Sequence, residues 1–483
     1  MKAAMRMVLI GTALLSVPAF ADETEVHWTN IVRLSTLYQF NKVPPLAEEY
    51  GCSAGLNCGY GAAFTQGRAD FLSDLSVARG GFDLHASLEA RKDAVEPAAS
   101  YIKPFEAYLH GTADLLGRPL TFSIGRQSVI WGESLYFAGN AIAGAQAPID
   151  ATVVDPSGYA ATHFLPVGQA SASWQLGDSL TLLAYQQFEW RRNRVDPEDA
   201  YASAGDVLGN DAVSHIALER IYGPVIYNKA DIAQPSGTDQ FGLGVKWQRH
   251  EWDLGLYGLQ FDAKTPDLIY VRGSRDYALH YAQGVGLLGA SLAGPLGDAT
   301  IGAEASARRH MPLVDGGIFL DPTDSVIEAG PRGNTLQGQI SATLPIEPNS
   351  WLPGGASWTT ELATNHLLAV TANPEHMAAG RSRDAAALRT VLTMQFYQVM
   401  PRLDLSVPIG IGWNIAGNSS VAPEMNQGSG DFSVGVSGTF DQSWTASLTA
   451  TLYFGQDNIP IPGYAGHPMS EWNKVQASVQ RSF

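Results

Sequence analysis

Long hydrophobic runs are missing from this chain. Beyond the first two dozen residues, no apolar stretch approaches the roughly 20 residues that a transmembrane helix needs, and the mean hydropathy is -0.05. That excludes a helical membrane protein. Charge is scarce too: Asp, Glu, Lys and Arg make up 16% of the residues, against about 25% in an ordinary soluble domain. Positive charge is the scarcer sign, and the formal net charge of -17 argues against a nucleic-acid partner. Acidic outer loops could hold divalent cations against lipopolysaccharide, although a simple solubilising excess explains the charge equally well. Cysteine is almost absent. Cys52 and Cys58 lie close together in a glycine-rich segment and are expected to close a small disulfide loop in an oxidising compartment. No histidine flanks them, and no metal-binding His pair or nucleophile elbow occurs elsewhere. The expectation is therefore no enzyme, no cofactor and no metal. His163 and His366 could be imagined beside a serine, but His366 fits a strand wall better.

What the chain does contain points to export. Lys2 and Arg6 precede a mostly apolar stretch from Val8 to Leu15, and Ala19-Phe20-Ala21 forms a small-residue cleavage site. A signal peptide over 1–21 is expected, with the following chain beginning at Asp22. Glycine is abundant, at 50 residues, and aromatics reach 10%.

Period-two alternation then recurs along the sequence. Trp444, Ala446, Leu448, Ala450, Leu452 and Phe454 share one parity, and Thr445, Ser447, Thr449, Thr451 and Tyr453 the other. Phe82, Leu84, Ala86 and Leu88 alternate with Asp83, His85, Ser87 and Glu89. Segments of about 10 residues with this pattern match membrane-spanning strands, whose lipid-facing and lumen-facing residues cancel in any hydropathy average. Short connections, such as those at Gly80, Gly117, His250 and Asp441, alternate with long polar segments such as 41–66, 193–237 and 417–429. The fold class is all-β: a transmembrane, antiparallel, up-and-down barrel of about 18 strands, with 16 possible, carrying long outer loops and short periplasmic turns. It is read as one domain over 22–483 and as a monomer. The final strand ends on Phe483, resembling the signal read by the barrel-assembly machinery; Arg481 interrupts its apolar parity.

Several residues are candidates for the lumen or a constriction. Segment 132–167 is rich in Ala and Gly and nearly free of charge after Glu133, so it is expected to fold inward. Glu106, Tyr108 and His110 share a polar parity, as do Glu304, Ser306 and Arg308, and Glu189 with Arg191. Such rows line a barrel interior, either steering a solute or bracing the wall with paired charges. Trp131 sits beside this set. Arg126 is anomalous: counting places it with Leu120, Phe122 and Ile124 on the lipid side, so a bulge at Gly125 is expected to turn it inward toward Glu133. In the fourth long loop, Ile221, Tyr222, Val225, Ile226 and Tyr227 form an apolar group that could capture a molecule or pack on another loop.

The run Gly125-Arg126-Gln127-Ser128-Val129-Ile130-Trp131-Gly132-Glu133-Ser134 carries a family resemblance. Leu165-Pro166-Val167, Tyr185 to Trp190, Arg194-Val195-Asp196-Pro197, Ser236 to Gly242, Gly302 to Arg308 and Glu361 to His366 extend it in order. These stretches resemble a Gram-negative outer-membrane barrel family long classed as a domain of unknown function. Some of its members are linked to uptake of alkanes and other hydrophobic compounds, and many are encoded near an RND-type permease and a periplasmic companion. The segment between Ser134 and Leu165 departs from the family pattern, with Ala147-Pro148-Ile149-Asp150 standing nearest to an expected Asn-Pro-Val-Asp run. The resemblance implies an outer-membrane channel for small hydrophobic or amphipathic cargo. The alternatives are a general porin for polar solutes and a non-enzymatic part of an RND-linked export or envelope complex.

Overall fold

A computed structural model describes residues 24–40, 63–95, 100–152, 164–194, 215–220, 223–230, 234–321, 329–456 and 469–483. The expected signal peptide and the Cys52/Cys58 loop lie outside the described residues, as do His163, Ile221 and Tyr222. In chain order the strands are β1 Glu25–Gln39, β2 Ala63–Arg79, β3 Phe82–Asp93, β4 Tyr101–Leu115, β5 Arg118–Gln127, β6 Val167–Gln175, β7 Leu180–Gln187, β8 His215–Arg220, β9 Gly223–Lys229, β10 Phe241–Arg249, β11 Trp252–Phe261, β12 Asp267–Val271, β13 Asp276–His280, β14 Val285–Leu296, β15 Ala299–Pro312, β16 Ile318–Leu320, β17 Arg332–Ile346, β18 Ala356–Ala372, β19 Asp384–Met400, β20 Leu403–Ala416, β21 Gly430–Phe440, β22 Trp444–Phe454 and β23 Lys474–Ser482.

Eighteen of these strands form one closed antiparallel sheet, in which each strand of the ring pairs with its chain neighbours and β1 also pairs with β23. The remaining five, β8, β9, β12, β13 and β16, form a second sheet built from three of the long connections. Its parallel pairings, β12 with β16 and β13 with β9, join segments far apart in sequence. Alternation in the sequence gives no warning of such a sheet, because its strands are short and meet only after the barrel has brought the loops together.

At one end of the barrel the hairpins are tight. Gly80 and Gly81, Leu116 and Gly117, and Asp441 and Gln442 all have positive φ, the backbone that matches a two-residue turn to the twist of its strands. At the other end the connections are long. The wall follows the parity read from the sequence. Leu243, Leu256 and Leu288 point outward, at 63%, 64% and 72% exposure, while Tyr257, Leu259 and Leu287 on the alternate face are buried. An apolar belt on a closed sheet is the surface of a barrel in lipid. No described helix is long and apolar enough to cross a membrane.

One local expectation needs correction. The bulge at Gly125 does not form: β5 pairs with β4 and β6 in unbroken register through Arg126. Gly125 instead permits close approach, since a Cβ there would lie 2.3 Å from the Ala107 carbonyl oxygen, and its φ is +134°. Arg126 therefore keeps the outward parity. Arg481, which interrupts the apolar parity of the last strand, does not disturb the register. It pairs opposite Trp444, with its guanidinium 5.2 Å from the Trp444 ring centroid and 5.6 Å from that of Phe483. Aromatic faces accommodate the cation there.

The belt yields a direct test. Leu288→Arg places a charge on the lipid face and is expected to destabilise the barrel by about 2–4 kcal/mol if the site lies near mid-bilayer, read from urea unfolding in lipid vesicles.

Candidate functional site

The described parts of the third long connection, residues 128–152 and 164–166, fold into the lumen. Its only described helix, α1 Ile142–Gln146, is five residues long and carries no side-chain cap. An isolated turn of this length has no stability of its own, so the barrel wall must hold it. Two carboxylates do so. Glu304 on β15 accepts the backbone N–H groups of Glu133 at 2.7 Å and Ile142 at 2.9 Å, and the Gln339 amide at 2.8 Å. Glu361 on β18 accepts those of Leu135, Tyr136 and Phe137 at 3.1, 2.5 and 3.3 Å. Arg308 completes the clamp by donating to the carbonyls of Asn140 and Ala141 at 2.9 and 2.8 Å. These charge-assisted bonds satisfy loop groups that would otherwise be buried unpaired.

Apolar packing fixes the other flank. Trp131 and Ile142 pack with Tyr185, Tyr257, Leu259, Phe261, Val285 and Leu287 from β7, β11 and β14. Trp131 stacks on Tyr257 at 5.4 Å between ring centroids and meets Tyr185 edge-on at 5.1 Å. It is thus a buried anchor rather than a wall residue facing an open passage. The 417–429 connection also turns inward: Met425 and Ala422 pack against Ala363, Ala385 and Ala387, with Phe137 alongside.

The charges proposed from parity sort into three places. Glu304, Ser306 and Arg308 face inward and are buried. Glu106 and Tyr108 face inward beside His85, whose ring stacks on Tyr108 at 4.8 Å. Arg126 and Glu189 form a bidentate pair at the loop-end rim on the outward side, at 2.5 and 3.1 Å, and Glu189 also accepts the Gly168 N–H at 2.7 Å. Glu189 is not a lumen strand residue, because β7 ends at Gln187. Arg126 consequently pairs with Glu189 and not with Glu133. Arg191 donates to the Pro166 carbonyl at 2.6 Å, beyond the strand end. Val225, Ile226 and Tyr227 fall on β9 of the loop sheet. His366 lies in the β18 wall, bonded to Asp384 at 2.6 Å.

Other groups in the loop anchorage escaped sequence reading. Arg194 binds Asp150 at 2.5 Å and the Tyr101 hydroxyl at 3.0 Å; Arg68 binds Asp93 at 2.7 Å and the Thr152 carbonyl at 3.2 Å. Lys264, in the 262–284 connection, donates to the Ala145 carbonyl at 2.9 Å. Full burial pushes its ammonium down to about 7, against the opposing attraction of Asp262.

Beside the loop, along β19 to β23, the inner wall carries a polar cleft of about 170 Å³, with Arg389 5.7 Å from the ring of the loop residue Tyr136. Ser433, Ser447, Thr449, Thr451, Gln476 and Ser478 line it, with Tyr453, Lys474, Arg389 and Asp431. Arg389 binds Asp431 at 3.0 Å.

A family model described as "Protein of unknown function (DUF1302)" matches residues 49–483. The chain belongs to that family. A search of curated proteins finds no match for this DUF1302 chain. Among solved structures it is similar to OccAB1 of Acinetobacter baumannii, at 10% identity over 95% of this chain and 96% of that one, with a TM-score of 0.48. OccD3 (OpdP) of Pseudomonas aeruginosa follows at 11% identity over 95% and 91%, with a TM-score of 0.46. The outer membrane channel DcaP of Acinetobacter baumannii gives 11% over 95% and 97%, with a TM-score of 0.43.

Two outcomes test the anchorage of the DUF1302 loop. Glu361→Ala strips three loop N–H groups of their acceptor and is expected to cost roughly 3 kcal/mol, raising single-channel conductance and noise in planar bilayers. Lys264 has a depressed folded pKa, so between about 7 and 10.5 the unfolded chain holds more protons and stability rises with pH. Lys264→Met is expected to flatten that rise in urea midpoints measured across the same window.

Proposed function

We propose that this barrel is an outer-membrane channel and that small polar solutes cross it along the cleft between the inward-folded loop and strands β19 to β23. The observation that carries this reading is the chemistry of that cleft. Hydroxyl and amide side chains from β21, β22 and β23 dominate its wall. Such groups can exchange hydrogen bonds with a hydrated solute without holding it tightly. Arg389 is offset by Asp431, whereas Lys474 lies 5.5 Å from the Tyr453 ring with no carboxylate partner among the described residues. Arg33, on the adjoining β1 wall, binds the neutral Gln480 amide at 2.9 and 2.7 Å. This stretch of the lumen therefore carries positive charge and favours anions.

Placement in the outer membrane is supported by the closed ring, the apolar belt, and the contrast between tight turns at one end and long connections at the other. Passage of hydrophobic cargo has less support. The apolar side chains of the described lumen are packed against one another around Trp131 and Ile142 rather than lining an open path. A periplasmic companion and an RND-type permease enter as proposals through the family resemblance alone.

Reconstituted channels should pass small sugars and organic anions in liposome-swelling assays and show a weak anion preference in reversal potentials. Lys474→Glu should abolish or invert that preference. Exclusion of polar solutes, with a deletion strain losing uptake of alkanes or aromatics, would favour the hydrophobic reading. Absence of conductance with capture of a periplasmic partner would favour the envelope complex.

A further inference from the structure

On the inner wall, three neighbouring strands bring together Asp74 of β2, His85 of β3 and Glu106 of β4, with one ligand-capable atom from each within 4.8 Å of the others. His85 Nε2 lies 3.1 Å from Asp74 Oδ2 and 3.3 Å from Glu106 Oε2. This nitrogen is buried between the two carboxylates. Donors around a zinc-like ion at about 2.0–2.2 Å lie about 2.8–3.1 Å apart across an octahedral edge and about 3.3–3.6 Å across a tetrahedral one, so both spacings fall in the range of donors sharing an ion.

The electrostatic setting favours a cation as well. Several other carboxylates of the inner wall have a guanidinium partner, as in Asp70 with Arg91, Asp93 with Arg68 and Asp431 with Arg389, or accept several backbone N–H groups, as Glu361 does. Among the described residues no Lys or Arg pairs with Asp74 or Glu106. Asp83 adds a third carboxylate nearby, bonded to the Ser76 hydroxyl at 2.7 Å.

The backbone shapes the site. The β3–β4 ladder shifts between Ala86 and Leu88, where Ala86 pairs with Ala107 but Leu88 pairs with Pro104. The extra residue on β4 leaves the Glu106 N–H bonded to the Ser87 hydroxyl at 2.9 Å and brings its carboxylate to His85, as bulges beside functional groups do. The Tyr108 ring, stacked at 4.8 Å and 23°, fixes the imidazole plane.

We propose that Asp74, His85 and Glu106 bind one divalent first-row transition-metal ion on the lumen wall, with water completing its coordination. An imidazole with two carboxylates suits Zn²⁺ or Mn²⁺, while Ca²⁺ and Mg²⁺ prefer all-oxygen shells. The site stands apart from the polar cleft and does not depend on which solute crosses.

The test is Zn²⁺ titration calorimetry on the untagged, full chain refolded in detergent and passed through chelating resin, with a heat-modifiability gel confirming the barrel. One equivalent of Zn²⁺ should bind, without competition from equimolar Mg²⁺ or Ca²⁺. His85→Gln and Asp74→Asn should each weaken that binding at least tenfold, while Asp178→Asn, in a distant turn, leaves it unchanged. Folded wild-type chain that binds no Zn²⁺, or variants that bind it as tightly as wild type, would overturn the proposal. So would a His85→Gln variant that loses only thermal stability while retaining Zn²⁺ affinity, because the histidine would then be a bracing cation. If His85→Gln fails to fold, Asp74→Asn decides alone, since Asp74 is the most exposed of the three ligands.

Discussion

A sheet immersed in hydrocarbon must satisfy every backbone N–H and C=O within itself, and the seam between the first and last strands is where this chain meets that demand. β1 and β23 pair from Ile31 with Ser482 to Gln39 with Lys474. Beyond the last rung, Asn30 and Phe483 exchange both backbone bonds, at 2.8 and 3.0 Å. With the ring closed, the outer face can be apolar along its whole circumference and the inner face can remain polar. The Arg126–Glu189 pair at the rim is consistent with this division, since a charge of outward parity is neutralised and placed where the strands end.

Closure creates a second problem. A lumen of this width would be a water-filled tube unless something occupied it, and a loop entering it brings backbone groups that need partners. Glu304 and Glu361 solve this by accepting several N–H groups each, while Arg308 and Lys264 donate to loop carbonyls. The aromatic cluster around Trp131 supplies the apolar contact that fixes the loop to one side. The loop is thereby held mainly against β7 and the arc from β11 to β18, with further contacts to β2 and β19, while the wall from β21 to β23 is lined largely with hydroxyl groups. Asymmetric filling thus determines where a passage can run.

Wall carboxylates are handled in three ways in the same barrel: guanidinium pairing at Asp70, Asp93 and Asp431, backbone capping at Glu304 and Glu361, and a histidine-centred group at Asp74 and Glu106. The first two close their charge locally. The third leaves negative charge facing the lumen, and for that reason it is the one suited to a cation.

The sequence by itself determined the barrel. A strand has period two, and each residue must face either lipid or lumen, so Leu448 and Thr449 already reveal their sides, and turn residues such as Leu116-Gly117 mark the short end. An approximate strand count, 18 or 16, and the inward parity of Glu304 and Arg308 follow from the same local rule, and the closed ring fixes the number at 18. Parity counting failed where regular pairing stops, as at Glu189 beyond the end of β7, and it invoked a bulge for Arg126 that a rim ion pair makes unnecessary. Only the tertiary structure decided which groups meet across the ring: Glu361 with Tyr136, Lys264 with Ala145, the loop sheet from β8 to β16, and Asp74 with His85 and Glu106. The physical reason is range. Alternation is written within one strand, whereas a contact across a lumen depends on closure, stagger and loop path, and these arise only when all the strands are in place.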